Sequence, residues 1–191
     1  KDRASFRAFC QQHITPHADQ WDREAALPSE LIRKMGEQGL FGLFLEEEYG
    51  GGARDMVTFG LANEEIGRGC SSSRSLLTVH GMVCYALQRW GSRDQKKAWL
   101  PKLACGDLFG AFALSEPEVG CDAKSIGTSA VADGETWVLN GVKKWITFGQ
   151  IADLFLVFAQ QDGKPLALLV ERDNPGLQIE PIGGMLGTSA S

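Results

Sequence analysis

The 191 residues include 19 Lys and Arg and 24 Asp and Glu, a formal net charge of −5, and 43% of them are hydrophobic. This balance is ordinary for a globular protein, and its acidity argues against a nucleic-acid partner or an anionic membrane surface. No apolar run approaches the ~20 residues of a membrane span, so we expect no membrane partner.

The cysteines and histidines give no sign of a metal site. The five cysteines are scattered without a C-x-x-C pair, which favours free thiols in a reducing compartment. His13 and His17 have the spacing of two ligands on one helical face, but Pro16 lies between them and no carboxylate cluster completes a site. We therefore expect no bound metal and a cytoplasmic protein, with the mitochondrial matrix as the alternative compartment.

The first part of the chain, up to about residue 106, has the apolar period of helices. Phe6 and Trp21 belong to one apolar stripe with a spacing of three and four residues, which Pro16 is expected to interrupt. Further along, Ser92 and Gln95 have the spacing of a capping box at a helix start. Helices are predicted over 6–21, from 28 to a stop at 36 or 39, over 56–68 and 76–90, and after 92.

The remainder of the chain alternates like β-strands with turn residues between them. Asp133-Gly134, Asn140-Gly141 and Asp162-Gly163 are dipeptides that supply the positive φ angles of tight hairpin turns. With a strand on each side of every turn, including 142–146, three successive hairpins form an antiparallel meander. The predicted fold class is α+β multidomain: an all-α domain at 1–106, then an antiparallel β domain at 107–191.

One candidate ligand-binding segment lies where the first predicted strand ends. The apolar run 112–114 is followed by Ser115, Glu116 and Pro117. Because Pro117 stops sheet pairing, the backbone N–H and C=O groups near Leu114 and Ser115 become free to meet a ligand. The alternative interpretation is a strand-end turn that binds nothing.

A second candidate segment contains an aromatic side chain close to a hydroxyl. If 142–146 and its continuation form a strand, Trp145 and Thr147 share a face because the period of a strand is two. An aromatic ring and a hydroxyl on one face suit stacking and hydrogen bonding to a flat heterocycle. A tryptophan that only fills the core is the alternative.

Together these segments resemble the acyl-CoA dehydrogenase flavoprotein family, and the resemblance covers nearly the whole chain. Residues 111–122 read A-F-A-L-S-E-P-E-V-G-C-D, where the family has a motif like A-F-A-L-T-E-P-x-A-G-S-D. Residues 145–148 read W-I-T-F, where the family has W-I-T-N. Cys121 therefore stands in place of a serine and Phe148 in place of an asparagine. The sequence of the helix around His80 is similar to that of the family branch that oxidises carrier-protein-bound acyl units for polyketide extender synthesis.

The resemblance implies that FAD lies between the helical and β domains. It implies that Phe112, Leu114 and Ser115 line the isoalloxazine ring. It also implies that Trp145 covers one flavin face, with Ile146 beside it and Thr147 near N5 and O4. Gly120 and Cys121 take positions that contact the flavin phosphate or the acyl thioester, so Cys121 is also a candidate substrate-binding residue.

The activity implied is α,β-dehydrogenation of an acyl-CoA or an acyl-carrier-protein substrate, with hydride transfer to flavin N5 and removal of the α-proton by a carboxylate. We expect that carboxylate in a C-terminal helical bundle beyond residue 191, so we expect no catalytic residue in this chain. We also expect the β domain to be incomplete at its C-terminal end. The chain alone is then expected to bind FAD poorly and to be inactive. The full-length protein is expected to be a homodimer or homotetramer, with no assigned electron-transfer partner.

Two alternatives stay open from the sequence. The same fold serves flavin oxidases and monooxygenases, in which the flavin performs different chemistry. The chain could instead be a non-catalytic fragment that only binds flavin or a partner.

Overall fold

The computed structural model describes residues 2–191, which form six α-helices followed by five β-strands. This order confirms the predicted helical first part and sheet-forming second part. The helices are α1 (Asp2–His13), α2 (Ala18–Glu24), α3 (Ser29–Glu37), α4 (Met56–Gly69), α5 (Ser71–Trp90) and α6 (Arg93–Cys105). The strands are β1 (Gly110–Ala113), β2 (Ser129–Asp133), β3 (Thr136–Asn140), β4 (Leu154–Gln161) and β5 (Lys164–Glu171).

Local signals place most of the helix ends where the sequence predicts them. Pro16 lies in a 3-10 turn, Thr15–His17, that separates α1 from α2. Ser92 and Gln95 form the predicted capping box, because the Ser92 hydroxyl accepts from the Gln95 N–H at 3.1 Å and the Gln95 side chain accepts from the Ser92 N–H at 2.9 Å. None of the helices in residues 2–191 is long and apolar enough to cross a membrane.

The helical part has its own core, and a buried carboxylate joins two of its helices. Phe41 and Ile66 are fully buried in this core. Glu65 on α4 is also buried, and its carboxylate accepts hydrogen bonds from Arg7 at 2.8 Å and from Arg3 at 2.7 Å, both on α1. These hydrogen bonds lower the pKa of Glu65 to about 2 against the opposing effect of burial. The ion pairs therefore hold α1 against α4.

The sheet is mixed, which corrects the predicted antiparallel meander. The central strand β4 pairs antiparallel with β5 along its whole length. On its other edge β4 pairs parallel with β1, from Gly110 beside Leu154, and parallel with the start of β2, where Ser129 lies beside Gln160. Strand β1 thus pairs with a strand about forty residues later in the chain, and dipeptide turn signals carry no information about such a pairing.

Two of the three predicted hairpins are present and the third is not. The turns at Gly134 and at Asp162-Gly163 have positive φ angles and join antiparallel strands. After Asn140, however, the chain leaves the sheet, and residues 141–146 form no strand. A Cβ on Gly141 would lie 2.3 Å from the Thr128 hydroxyl oxygen, so a close approach, and not a hairpin turn, requires glycine there.

A buried histidine joins the helical part to the first strand. His80 on α5 is fully buried, and its Nε2 lies 3.0 Å from the Leu103 carbonyl oxygen. Its Nδ1 accepts from the Gly110 N–H at 3.3 Å. Burial lowers the pKa of His80 to about 4, although the Leu103 carbonyl acts in the opposite direction. The ring is therefore neutral at pH 7, donating through Nε2 and accepting through Nδ1.

Candidate functional site

The two predicted ligand-binding segments lie side by side at the end of β1. The Lys144 N–H donates to the Ser115 carbonyl oxygen at 2.9 Å. The Lys143 ammonium donates to the Leu114 carbonyl oxygen at 3.1 Å. These two bonds join residues 114–115 to the loop 143–147, although the segments are about thirty positions apart in the sequence. We call this joined region the strand-end site.

Trp145 lies in that loop in a conformation that the sequence pattern did not predict. Its φ angle is 64°, in the left-handed region, and the residue is 54% exposed. A left-handed non-glycine residue costs about 1–2 kcal/mol, so the surrounding structure must hold it there. Ile146 supplies part of that support by packing against the buried cluster of Ala111 and Val157. The predicted strand over 142–146, and with it the shared-face argument for Trp145 and Thr147, is wrong.

The strand-end site presents polar groups that no protein group satisfies within residues 2–191. The backbone N–H groups of Leu114 and Ser115, the Ser115 hydroxyl and the Thr147 hydroxyl all belong to half-buried residues and make no hydrogen bond to protein groups in that range. Each of them can donate to a ligand. Together with the exposed Trp145 ring, they form a surface that can stack on and hydrogen-bond to a flat polar ring.

The other predicted site residues have different surroundings. Phe112 is half-buried and its ring packs against Phe158 on β4, with 4.8 Å between centroids. Gly120 and Cys121 are exposed in the loop after Pro117, and no hydrogen bond among the described residues joins them to the loop 143–147. The structure therefore brings Leu114, Ser115 and the W-I-T residues together, while Gly120 and Cys121 form a separate exposed segment.

Glu116 lies directly beside the site and is fully engaged by protein donors. Its carboxylate accepts from the Gly127 N–H at 2.6 Å and from the Thr128 N–H and hydroxyl at 2.9 and 2.5 Å. The Lys143 ammonium lies 2.7 Å from Oε1, and the Glu116 side chain is 9% exposed. Burial acts to raise the pKa of Glu116, but these hydrogen bonds outweigh it and lower the pKa to about 2. Such a carboxylate is a poor proton acceptor, so its role is structural.

Comparisons with protein families assign both parts of the chain to one family. Residues 2–107 match the acyl-CoA dehydrogenase N-terminal domain, and residues 111–191 match the acyl-CoA dehydrogenase middle domain. The chain belongs to the acyl-CoA dehydrogenase family. This confirms the resemblance drawn from the sequence, whereas membership of the branch that acts on carrier-protein-bound acyl units stays a prediction.

Known enzymes with acyl-CoA substrates in their names are similar to the chain in sequence and structure. It is 38% identical to the human mitochondrial short-chain specific acyl-CoA dehydrogenase, over 97% of this chain and 46% of that protein. It is 35% identical to the acryloyl-CoA reductase (NADH) of Anaerotignum propionicum, over 97% of this chain and 49% of that protein. A glutaryl-CoA dehydrogenase from Mycobacterium smegmatis, solved in complex with FADH2, superposes with a TM-score of 0.95 at 38% identity, over 99% of this chain and 49% of that one. The chain thus spans about half the length of the relatives it matches.

Sequence reasoning missed two residues that hold Glu116 beside the strand-end site. Lys143 and Thr128 hold Glu116. Thr128 lies in no segment that the sequence analysis singled out, and Lys143 lies within 142–146 but was given no role there. A signal was present, because an acidic residue at the end of an apolar strand requires a cationic or hydroxyl partner when it is buried. Which residue would supply that partner depends on the fold, since Thr128 and Lys143 follow Glu116 by 12 and 27 positions.

Proposed function

We propose that this chain is the flavin-binding part of an FAD-dependent acyl-CoA dehydrogenase that oxidises the α,β bond of an acyl thioester. Family membership supports the reaction class, and the similar glutaryl-CoA dehydrogenase was solved with FADH2. The observation that carries the proposal is the strand-end site, where unpartnered donors and an exposed indole lie next to each other.

The residues present fit a flavin ring. When bound, FAD supplies the electron-accepting ring. On the protein side, the Leu114 and Ser115 N–H groups and the Ser115 hydroxyl are donors for the carbonyl and nitrogen acceptors of its pyrimidine part. Such hydrogen bonds stabilise negative charge on a reduced flavin. Thr147 supplies a further donor, and the Trp145 ring covers one face and excludes water from it.

The remaining site residues complete the proposal. Phe112 supports the Leu114 segment through its contact with Phe158. The exposed backbone of Gly120 and Cys121 is available for the cofactor phosphates or for the substrate thioester. The carboxylate that removes the α-proton, the electron acceptor and the oligomer contacts belong to the whole protein. We favour a CoA thioester as substrate over a carrier-protein thioester, because the similar proteins named above carry CoA substrates in their names.

Flavin retention in the full-length protein tests the proposed site. Trp145→Ala and Thr147→Val are expected to weaken FAD binding, measured as the flavin-to-protein ratio after gel filtration and as the dissociation constant of the apoprotein for FAD. Trp137→Ala is the matched control, because Trp137 is also an exposed tryptophan, on β3, outside the site. Normal FAD affinity in both site variants would show that the flavin binds elsewhere.

A further inference from the structure

Lys143 is a nearly buried lysine whose ammonium group bridges two oxygens at the strand-end site. Its side chain is 12% exposed, and Nζ lies 2.7 Å from Glu116 Oε1 and 3.1 Å from the Leu114 carbonyl oxygen. A lysine loses hydration and side-chain freedom in such a position, so its bonds must offset both costs. Only the bond to Glu116 is needed to pair the buried charges. The bond to Leu114 therefore calls for a separate explanation.

Because the peptide bond is planar, the contact to the Leu114 carbonyl also affects the N–H on the other side of the Leu114–Ser115 peptide unit. The Leu114 carbonyl and the Ser115 N–H belong to one trans peptide unit, since the described chain contains no cis peptide bond, and so they point in opposite directions. When Lys143 fixes the carbonyl oxygen, it also fixes the direction of the Ser115 N–H. That N–H is one of the donors with no protein partner in the described part of the chain.

The position of Lys143 is in turn fixed by Glu116. The Glu116 carboxylate accepts from the Gly127 and Thr128 N–H groups just before β2, so the partner of the Lys143 ammonium is itself anchored to the backbone. The next residue, Lys144, uses its backbone N–H to hold the Ser115 carbonyl. The two neighbouring lysines thus clamp successive carbonyl groups, one through its side chain and one through its main chain.

We propose that Lys143 is a positioning residue for the flavin: by holding the Leu114 carbonyl it aims the Ser115 N–H at the pyrimidine part of the ring. This inference rests on the proposed function. Lys143 touches neither the ring nor the substrate and acts through the Leu114–Ser115 peptide. Removing its ammonium leaves that peptide free to rotate, which weakens FAD binding and removes a hydrogen bond that favours the reduced, negatively charged flavin.

The test compares FAD affinity in variants of the full-length protein. Lys143→Met is expected to raise the FAD dissociation constant about tenfold, as for the loss of one well-aligned hydrogen bond, and to make the flavin midpoint potential more negative. Lys143→Arg keeps donors for both oxygens and is expected to restore most of the affinity. Should Lys143→Met not fold, Lys143→Gln is the substitute, because its shorter neutral side chain cannot span both oxygens.

Two control variants distinguish an effect of Lys143 on the Leu114–Ser115 peptide from a general loss of folding stability and from the loss of a positive charge. Thr128→Val removes a hydrogen bond to Glu116 without touching Leu114, so it should lower the melting temperature of the apoprotein but change the FAD dissociation constant by less than about threefold. Lys164→Met removes an exposed positive charge at the start of β5 and should change neither quantity.

The outcomes distinguish this inference from the proposed function. If the wild-type protein binds no FAD, the proposed function is wrong and the inference falls with it. If the wild type binds FAD but Lys143→Met binds it as tightly, or Thr128→Val weakens binding as much as Lys143→Met does, Lys143 is a structural residue only and the proposed function stands.

Discussion

Acidification should destabilise the protein through His80, the buried ring that joins α5 to the start of β1. The pKa of His80 is about 4, against an ordinary value of 6.5, because burial disfavours its charged form. Between these two values the unfolded chain binds a proton that the folded chain does not. The free energy of unfolding therefore falls as the pH is lowered through that interval. Protonation of Nδ1 would also remove the acceptor for the Gly110 N–H.

The size of the effect follows from the two pKa values of His80. An interval of about 2.5 pH units corresponds to ~3.4 kcal/mol when it is traversed completely. Of this, about 2 kcal/mol is lost between pH 7 and pH 5. The strongly held carboxylates Glu65 and Glu116 together contribute only about 0.3 kcal/mol in that range, because their pKa values are lowered from 4.5 to about 2 and most of their effect on stability falls below pH 5.

Urea unfolding of the apoprotein, followed by tryptophan fluorescence at about pH 7 and pH 5, measures this loss. His80→Gln provides the comparison, since glutamine can still donate to the Leu103 carbonyl but has no group that titrates. The variant should be less stable than wild type at pH 7 and should lose much less stability on acidification. Equal losses in wild type and variant between pH 7 and pH 5 would refute the assignment of a neutral, buried His80.

Two further predictions concern packing and charge. Gly141→Ala would place a methyl carbon 2.3 Å from the Thr128 hydroxyl oxygen and should lower the free energy of unfolding by about 1–3 kcal/mol, measured from the urea midpoint. Glu65→Gln removes the charge that two arginines of α1 hold, so it should lower the melting temperature at pH 7. Wild type loses stability as the pH falls from about 4.5 towards 2, because the folded pKa of Glu65 lies below the unfolded one. The variant should not show this loss.

Controls for these variants come from the same chain. Gly183→Ala is matched to Gly141→Ala, because a Cβ on Gly183 meets nothing within 4 Å, and it should be close to neutral. An unchanged urea midpoint for Gly141→Ala would mean that the loop moves away from Thr128 at no cost. For Glu65, a variant with the same acid-induced loss as wild type would show that other carboxylates cause that loss.

The sequence predicted those features whose physical causes are local. The capping box of Ser92 and Gln95 lies within one helical turn, and Pro16 interrupts a helix through its own ring and missing N–H. The Asp162-Gly163 turn needs positive φ at both positions, and the dipeptide supplies it. Each of these signals is contained in a few consecutive residues, so no knowledge of the tertiary structure is required to interpret them.

The features that the sequence did not predict depend on contacts between distant segments. The parallel pairing of β1 with β4 is decided by packing across the sheet. Asn140-Gly141 has the composition of a hairpin turn, but its glycine is needed for the approach to Thr128. Trp145 and Thr147 are singled out by an aromatic ring and a hydroxyl two positions apart, and the family resemblance gives them their expected roles at a flavin. Their predicted strand geometry was wrong, because the chain leaves the sheet after Asn140 and Trp145 adopts a left-handed conformation.

Anaerobic titration of the full-length, FAD-loaded protein with saturated acyl-CoA thioesters tests the central claim most directly. We expect the visible absorption band of the oxidised flavin to bleach in proportion to the thioester added, with formation of the α,β-unsaturated product. A parallel titration with acyl-carrier-protein thioesters tests the alternative substrate class. A protein that retains FAD but whose flavin is bleached by no acyl thioester of either class would contradict the proposed dehydrogenase activity.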